Sequence, residues 1–222
     1  MDESSNLQSA YMEAYLLACG QLLKREPAEV CMNTKAVFNE ETGVYSVRYF
    51  GLERRVRRDG GEIAFEDGEA PLKTTEKVLV LHYLVNSRPA PLSGRLISFK
   101  EIQNGGAMYY PTFKKRAIDP LAEAFSGDPE GLYEAARAIG GSREALGDAG
   151  VAVNIFPLVP VTYVIWKGDD EIAPSGNVLF DSSVSSFLPV EDIVVAASAG
   201  TYRLISERHR KSGCCCEDSC IR

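Results

Sequence analysis

The side chains best suited by type and spacing to do chemistry lie between Arg95 and Arg116. Arg95, Ser98, Tyr109, Tyr110, Lys114, Lys115 and Arg116 surround Gly105-Gly106, where the missing side chains let the backbone approach a neighbour closely. Guanidinium and ammonium groups beside phenol hydroxyls suit a small anionic or aromatic ligand, with Arg95 and Lys114 or Lys115 gripping the anion. An enzymatic alternative uses Lys114 or Tyr109 as acid or base and Arg95 to hold the substrate's charge. The competing structural role is a packed loop, its tyrosines anchored in the core and its basic groups in water. The region lacks both the Gly-x-x-x-x-Gly-Lys and the Gly-x-Gly-x-x-Gly spacings of phosphate and dinucleotide loops.

A second candidate is the carboxy-terminal run Gly213-Cys214-Cys215-Cys216-Glu217-Asp218-Ser219-Cys220. Four thiolates, Cys214, Cys215, Cys216 and Cys220, could hold zinc or an iron–sulfur cluster. Adjacent cysteines share one ion only with strain, so an oxidisable, disordered tail over residues 213–222 is the favoured expectation. Lys167-Gly168-Asp169-Asp170-Glu171 groups three carboxylates without calcium-loop spacing and reads as a polar hairpin tip. Trp166 before it caps the core at a strand end or lines a pocket. His82 sits in an apolar run as a hydrogen-bonded core histidine, and a catalytic use of it needs a partner that the sequence does not identify. Serines 182, 183, 185 and 186 lack a nucleophile elbow and read as turn and cap residues.

Composition narrows the classes. A chain of 222 residues, 45% hydrophobic and 25% charged, is that of a globular protein able to bury a core without staples. The net charge of −7 argues against a nucleic-acid surface. Arg48, Arg54, Arg55, Arg57 and Arg58 do not reverse that, because the acidic residues among them leave the stretch near neutral; the expectation is edge-strand protection. No run reaches the roughly 20 apolar residues of a membrane span, and the acidic start MDESSNLQSA lacks secretory-signal features. Isolated Cys19 and Cys31 do not frame a disulfide-stapled fold. The expected setting is the cytoplasm, with no nucleic acid and no membrane as partner.

The elements that must position these groups follow from periodicity. Helical spacing over 6–24, Pro27 opening a second helix, and strands 36–39 and 44–50 around Glu40-Glu41-Thr42-Gly43 give an amino-terminal helix and hairpin. A third strand covers 53–58, with loops beyond it. A helix from Thr74 or Thr75 to about Ser87 contains VLVLHYLV, a run that could also be a buried strand; its length favours the helix. Ser98 and Glu101 form a capping box, helices begin at Pro111 and Asp128-Pro129, and Pro120 kinks or restarts the first of these. Residues 142–150 read as a loop. Val151 to Phe156, Val159 to Trp166 and Val178 to Phe180 form one sheet, and the last helix, from Pro189, packs on it through Ile193, Val194 and Ala197. The fold class expected is α/β or α+β, with residues 1–212 a single domain whose mixed central sheet is covered by helices.

Residues 36–205 resemble a family of bacterial and archaeal proteins known as domain-of-unknown-function family 3786. The segments that carry the resemblance are VLVLHYLV, PLSGRLISFKEI, GGAMYYPTFKKRAIDPLAEAF, LVPVTYVIWKGDDEIAPSGNVLFD and FLPVEDIVVAA, in that order. The resemblance implies an accessory or ligand-binding protein of anaerobes, in the setting of iron–sulfur or corrinoid cofactor metabolism. Some members look to carry a four-cysteine amino-terminal module, and Cys19 and Cys31 cannot supply four ligands. Cofactor identity stays open.

Overall fold

The computed structural model describes residues 3–59, 62–66, 71–103 and 105–214. Two helices open the chain, α1 (Glu3–Leu23) and α2 (Pro27–Thr34), the second started by Pro27 and closed by Lys35 in the left-handed region. Strands β1 (Val37–Asn39), β2 (Val44–Tyr49), β3 (Leu52–Asp59) and β4 (Glu62–Glu66) then form one antiparallel sheet in chain order. Helix α3 (Thr74–Asn86) confirms the helical reading of VLVLHYLV.

A short strand β5 (Leu96–Ser98) leads into one 3-10 turn, Phe99–Glu101, closed by the expected capping box: the Glu101 carboxylate accepts from the Ser98 N–H at 2.7 Å and hydroxyl at 2.8 Å. Next come α4 (Gly106–Phe113), a π-helical stretch Lys114–Ile118, α5 (Asp119–Phe125) and α6 (Pro129–Ala138), the last capped by Asp128 accepting from Gly131 N. Strands β6 (Ser142–Glu144), β7 (Ala149–Phe156), β8 (Val159–Trp166) and β9 (Ser175–Asp181) join β5 in a second sheet of order β5-β9-β8-β7-β6. Helix α7 (Val190–Cys214) completes the described chain.

The expected mixed central sheet is therefore corrected to an α+β arrangement of two antiparallel sheets. The reason lies in the connections: Phe50-Gly51 and Pro157-Leu158 are two-residue links, and links that short permit only antiparallel neighbours. Three further corrections follow. β4 and β6 occupy stretches read as loops, because β4 pairs with β3 and the three-residue β6 pairs with β7 despite poor intrinsic strand propensity. The arginine-rich β3 lies between β2 and β4, not at an edge. There Arg55 and Arg57 both pair with Glu66, while Arg58 donates to the carbonyls of Leu23 and Arg25 at the end of α1. Finally, Pro111 does not begin its helix but sits inside α4, which starts at Gly106.

The two sheets meet at Phe50. This residue occupies the left-handed region at φ 51°, a conformation costing a non-glycine residue about 1–2 kcal/mol. Two gains offset it: its N–H bonds Ile155 O of the second sheet at 2.9 Å, and its ring is buried against Tyr49, centroids 4.7 Å apart. Tyr49 in turn meets Phe156 of β7, which stacks on Tyr83 of α3 at 4.1 Å. Buried residues of both sheets belong to one continuous apolar core. Ile193, Val194 and Ala197 of α7 are buried in it as expected, and Tyr163 of β8 donates to Ala197 O at 3.0 Å.

Candidate functional site

A cleft of about 430 Å³ opens where α1, α3, α7 and the π-helical stretch converge. Among the described residues its cations are Lys73, Arg116 and Arg203, and its one carboxylate is Glu76. Glu76 is already engaged on both oxygens. Oε1 accepts from the Tyr49 hydroxyl and from Arg203, each at 3.1 Å, and Oε2 accepts from Lys73 N at 3.3 Å. The Arg203 guanidinium also lies 4.2 Å from the Phe50 ring centroid, so the strained turn that joins the sheets backs one of the cleft's cations. Arg116 and the Lys73 ammonium make no ion pair among the described residues. Tyr49 shows the local field: burial first, then the Glu76 charge, holds its phenol far above the ordinary range and therefore protonated.

Local sequence explains how Arg116 reaches this place. Pro120 has no N–H to give to the carbonyl four residues earlier, and the helix widens at Lys114–Ile118 just before it. The Ala117 carbonyl is taken by the buried Thr201 hydroxyl of α7 at 3.0 Å. That bond fixes the π-helical stretch against the same turn of α7 that supplies Tyr202 and Arg203 to the cleft.

Of the candidate region between Arg95 and Arg116, Arg116 lines this cleft. The other members lie along β5 and its approach, α4 and the start of the π-helical stretch. Ser98 is engaged in its capping box, and Arg95, at the approach to β5, acts electrostatically on Glu101. Tyr109 donates to Glu191 of α7 at 2.6 Å, which raises its pKa, while Tyr110 lies under the Lys100 ammonium at 4.1 Å. Lys114 pairs with Asp119, and Lys115 is exposed. The close approach expected of Gly105-Gly106 is present at Gly106, where a Cβ would lie 2.2 Å from the Phe99 carbonyl.

His82 has the partner the sequence did not identify, Asp192 of α7, with Nδ1 2.7 Å from Oδ2. That bond raises the histidine pKa against the lowering effect of burial. Asp169 accepts from the N–H groups of Glu171 and Ile172, as a hairpin tip should, and Trp166 stands 41% exposed at the end of β8 instead of capping the core. Ser183 donates its N–H and hydroxyl to Asp181, and the Ser182 hydroxyl meets that of Ser93 at 2.8 Å. Burial raises the pKa values of the Cys19 and Cys31 thiols, and two thiols do not fit a four-ligand cluster. Among the described residues no group of three His, Cys, Asp or Glu is placed to hold a metal ion. Cys214 ends α7, and Cys215, Cys216 and Cys220 lie outside the described residues.

Sequence reading missed Tyr11, Lys73, Glu76, Ser198, Tyr202 and Arg203 as site residues because they are scattered over nearly the whole chain without a local motif. The signal it did contain was the Pro120 break beside three consecutive basic residues, since π-helical insertions are frequent at functional sites. No helix among the described residues is long and apolar enough to cross a membrane. Comparison with curated proteins and with solved structures finds no match. A family match, by contrast, runs over residues 26–203, taking in α2 through Arg203 itself. The chain belongs to the family described as Domain of unknown function (DUF3786).

Proposed function

We propose that this protein is a cytoplasmic ligand-binding or accessory protein that takes a small anion in the cleft between α1, α3 and α7. One observation carries the reading: among the described residues three cations line a cleft with one carboxylate, which is already engaged by Tyr49, Arg203 and the Lys73 N–H. An exposed lysine or arginine alone is a solvated surface charge, but three converging on one concavity raise the local anion concentration. The anaerobic cofactor setting implied by the family resemblance makes protein purified without oxygen the material to examine.

The test is a thermal-shift series with inorganic phosphate, sulfate and citrate against chloride at matched ionic strength, on wild type and a Lys73→Ala, Arg116→Ala double variant. We expect the oxyanions to raise the wild-type midpoint by a few degrees, as occupancy of the native state requires, and to lose this effect in the variant. Equal shifts in both proteins would remove the cleft as the site.

A further inference from the structure

We infer that the anion taken by the cleft carries a planar aromatic body, an aryl phosphate or aryl carboxylate in chemical class. This rests on reading the cleft as an anion site and adds what fills the rest of it. At about 430 Å³ the cleft lies within the range of organic-ligand pockets. Since a water molecule occupies about 30 Å³ of liquid, a bare oxyanion would leave most of this space to solvent.

Beside its charged groups and the hydroxyls of Thr75, Ser198 and Ser206, the cleft has an apolar and aromatic part. Val195 and Ala199 of α7 line it, and Tyr11 of α1 and Tyr202 of α7 bring two phenol rings from different elements. The aromatic rings of the interior are largely spent on one another, as in the Tyr49, Phe50, Phe156 and Tyr83 series and the stacked Phe99 and Phe113 pair at 4.0 Å. Tyr11 and Tyr202 are different: neither has a ring partner or a hydrogen bond among the described residues, and Tyr202 is 53% exposed. A ring is costly to leave in water when a neighbour of the right shape is available, and an arginine such as Arg116 of the same cleft can face a π-system as well as an anion. The cleft thus combines three cations, which suit the charged group, with two unstacked rings that prefer a flat partner.

Isothermal titration with phenyl phosphate, cyclohexyl phosphate and inorganic phosphate separates aromatic recognition from anion binding. The proteins are wild type, Tyr202→Leu and the Lys73→Ala, Arg116→Ala variant, each checked by circular dichroism. Phenyl phosphate should bind wild type about two- to tenfold more tightly than cyclohexyl phosphate, the range expected of one aromatic contact. Tyr202→Leu should erase that preference while keeping inorganic phosphate binding, and the double variant should lose all three ligands. Equal affinity for the phenyl and cyclohexyl esters in wild type would overturn the aromatic assignment while leaving the anion site standing. Absence of binding by all three would overturn the anion site and this inference together.

Discussion

Asp181 shows how much one side chain of this chain can organise. It is 5% exposed, and its carboxylate accepts five hydrogen bonds: from the N–H and hydroxyl of Ser93, the N–H of Gly94, and the N–H and hydroxyl of Ser183. Burial alone would raise its pKa, but these donors outweigh burial and hold the carboxyl well below the usual aspartate range. A depressed folded-state pKa means that the stabilisation is present in full above the unfolded value of about 3.9, and is lost progressively as pH falls below it. Asp181→Asn keeps the shape but loses the charge and puts an amide donor among donors. It should cost about 3 kcal/mol at pH 7, and urea denaturation should show the gap between wild type and variant shrinking as pH is lowered from 5 to 3. A gap independent of pH would show that the charge contributes nothing.

Helix α7 carries a comparable density of function in four consecutive residues. Gly200 admits the Tyr163 hydroxyl, Thr201 bonds the Ala117 carbonyl, and Tyr202 and Arg203 face the cleft. Glycine within a helix is ordinarily a loss of up to about 1 kcal/mol relative to alanine, so helix propensity alone favours Gly200→Ala. Packing decides otherwise: a Cβ at that position would stand 1.8 Å from the Tyr163 oxygen. We expect Gly200→Ala to destabilise by about 2 kcal/mol or more, and to cost less in a Tyr163→Phe background, where the oxygen is gone. Strict additivity in this double-mutant cycle would mean that α7 is seated by something other than this contact.

The molecule as a whole depends on α7 holding two sheets that share few direct bonds. Phe50 N to Ile155 O ties the sheets through the backbone, and the Tyr49, Phe156 and Tyr83 rings fill the joint. Ile193, 1% exposed, lies in the continuous core that both sheets share. A carboxylate there would be buried without a partner, so Ile193→Asp should lower stability by about 3 kcal/mol or more. Because the core is continuous, far-ultraviolet circular dichroism and tyrosine fluorescence should agree with each other on the midpoint of wild type and, likewise, on the lower midpoint of the variant. An unchanged thermal midpoint would contradict the packing, and separate midpoints would show two independently folding units.

Local chemistry was enough to determine most elements. Pro27 and Asp128-Pro129 started helices, the Ser98 and Glu101 capping box closed its turn, and the β-branched runs at 151–156 and 159–166 became paired strands. Hairpin loops, helix caps and alternation are decided by residues a few positions apart, which a sequence displays directly. Family membership was legible for a related reason, because the ordered segments that carry it span most of the chain. What only the tertiary structure decided involves partners distant in sequence. The strands β4 and β6 exist because β3 and β7 present them with open hydrogen-bonding edges. His82 meets Asp192 across 110 positions, and Glu76 meets Arg203 across 127. The cleft is the extreme case: Tyr11, Lys73, Arg116 and Arg203 have no common spacing, and become one surface only when α7 packs across α3 and the π-helical stretch.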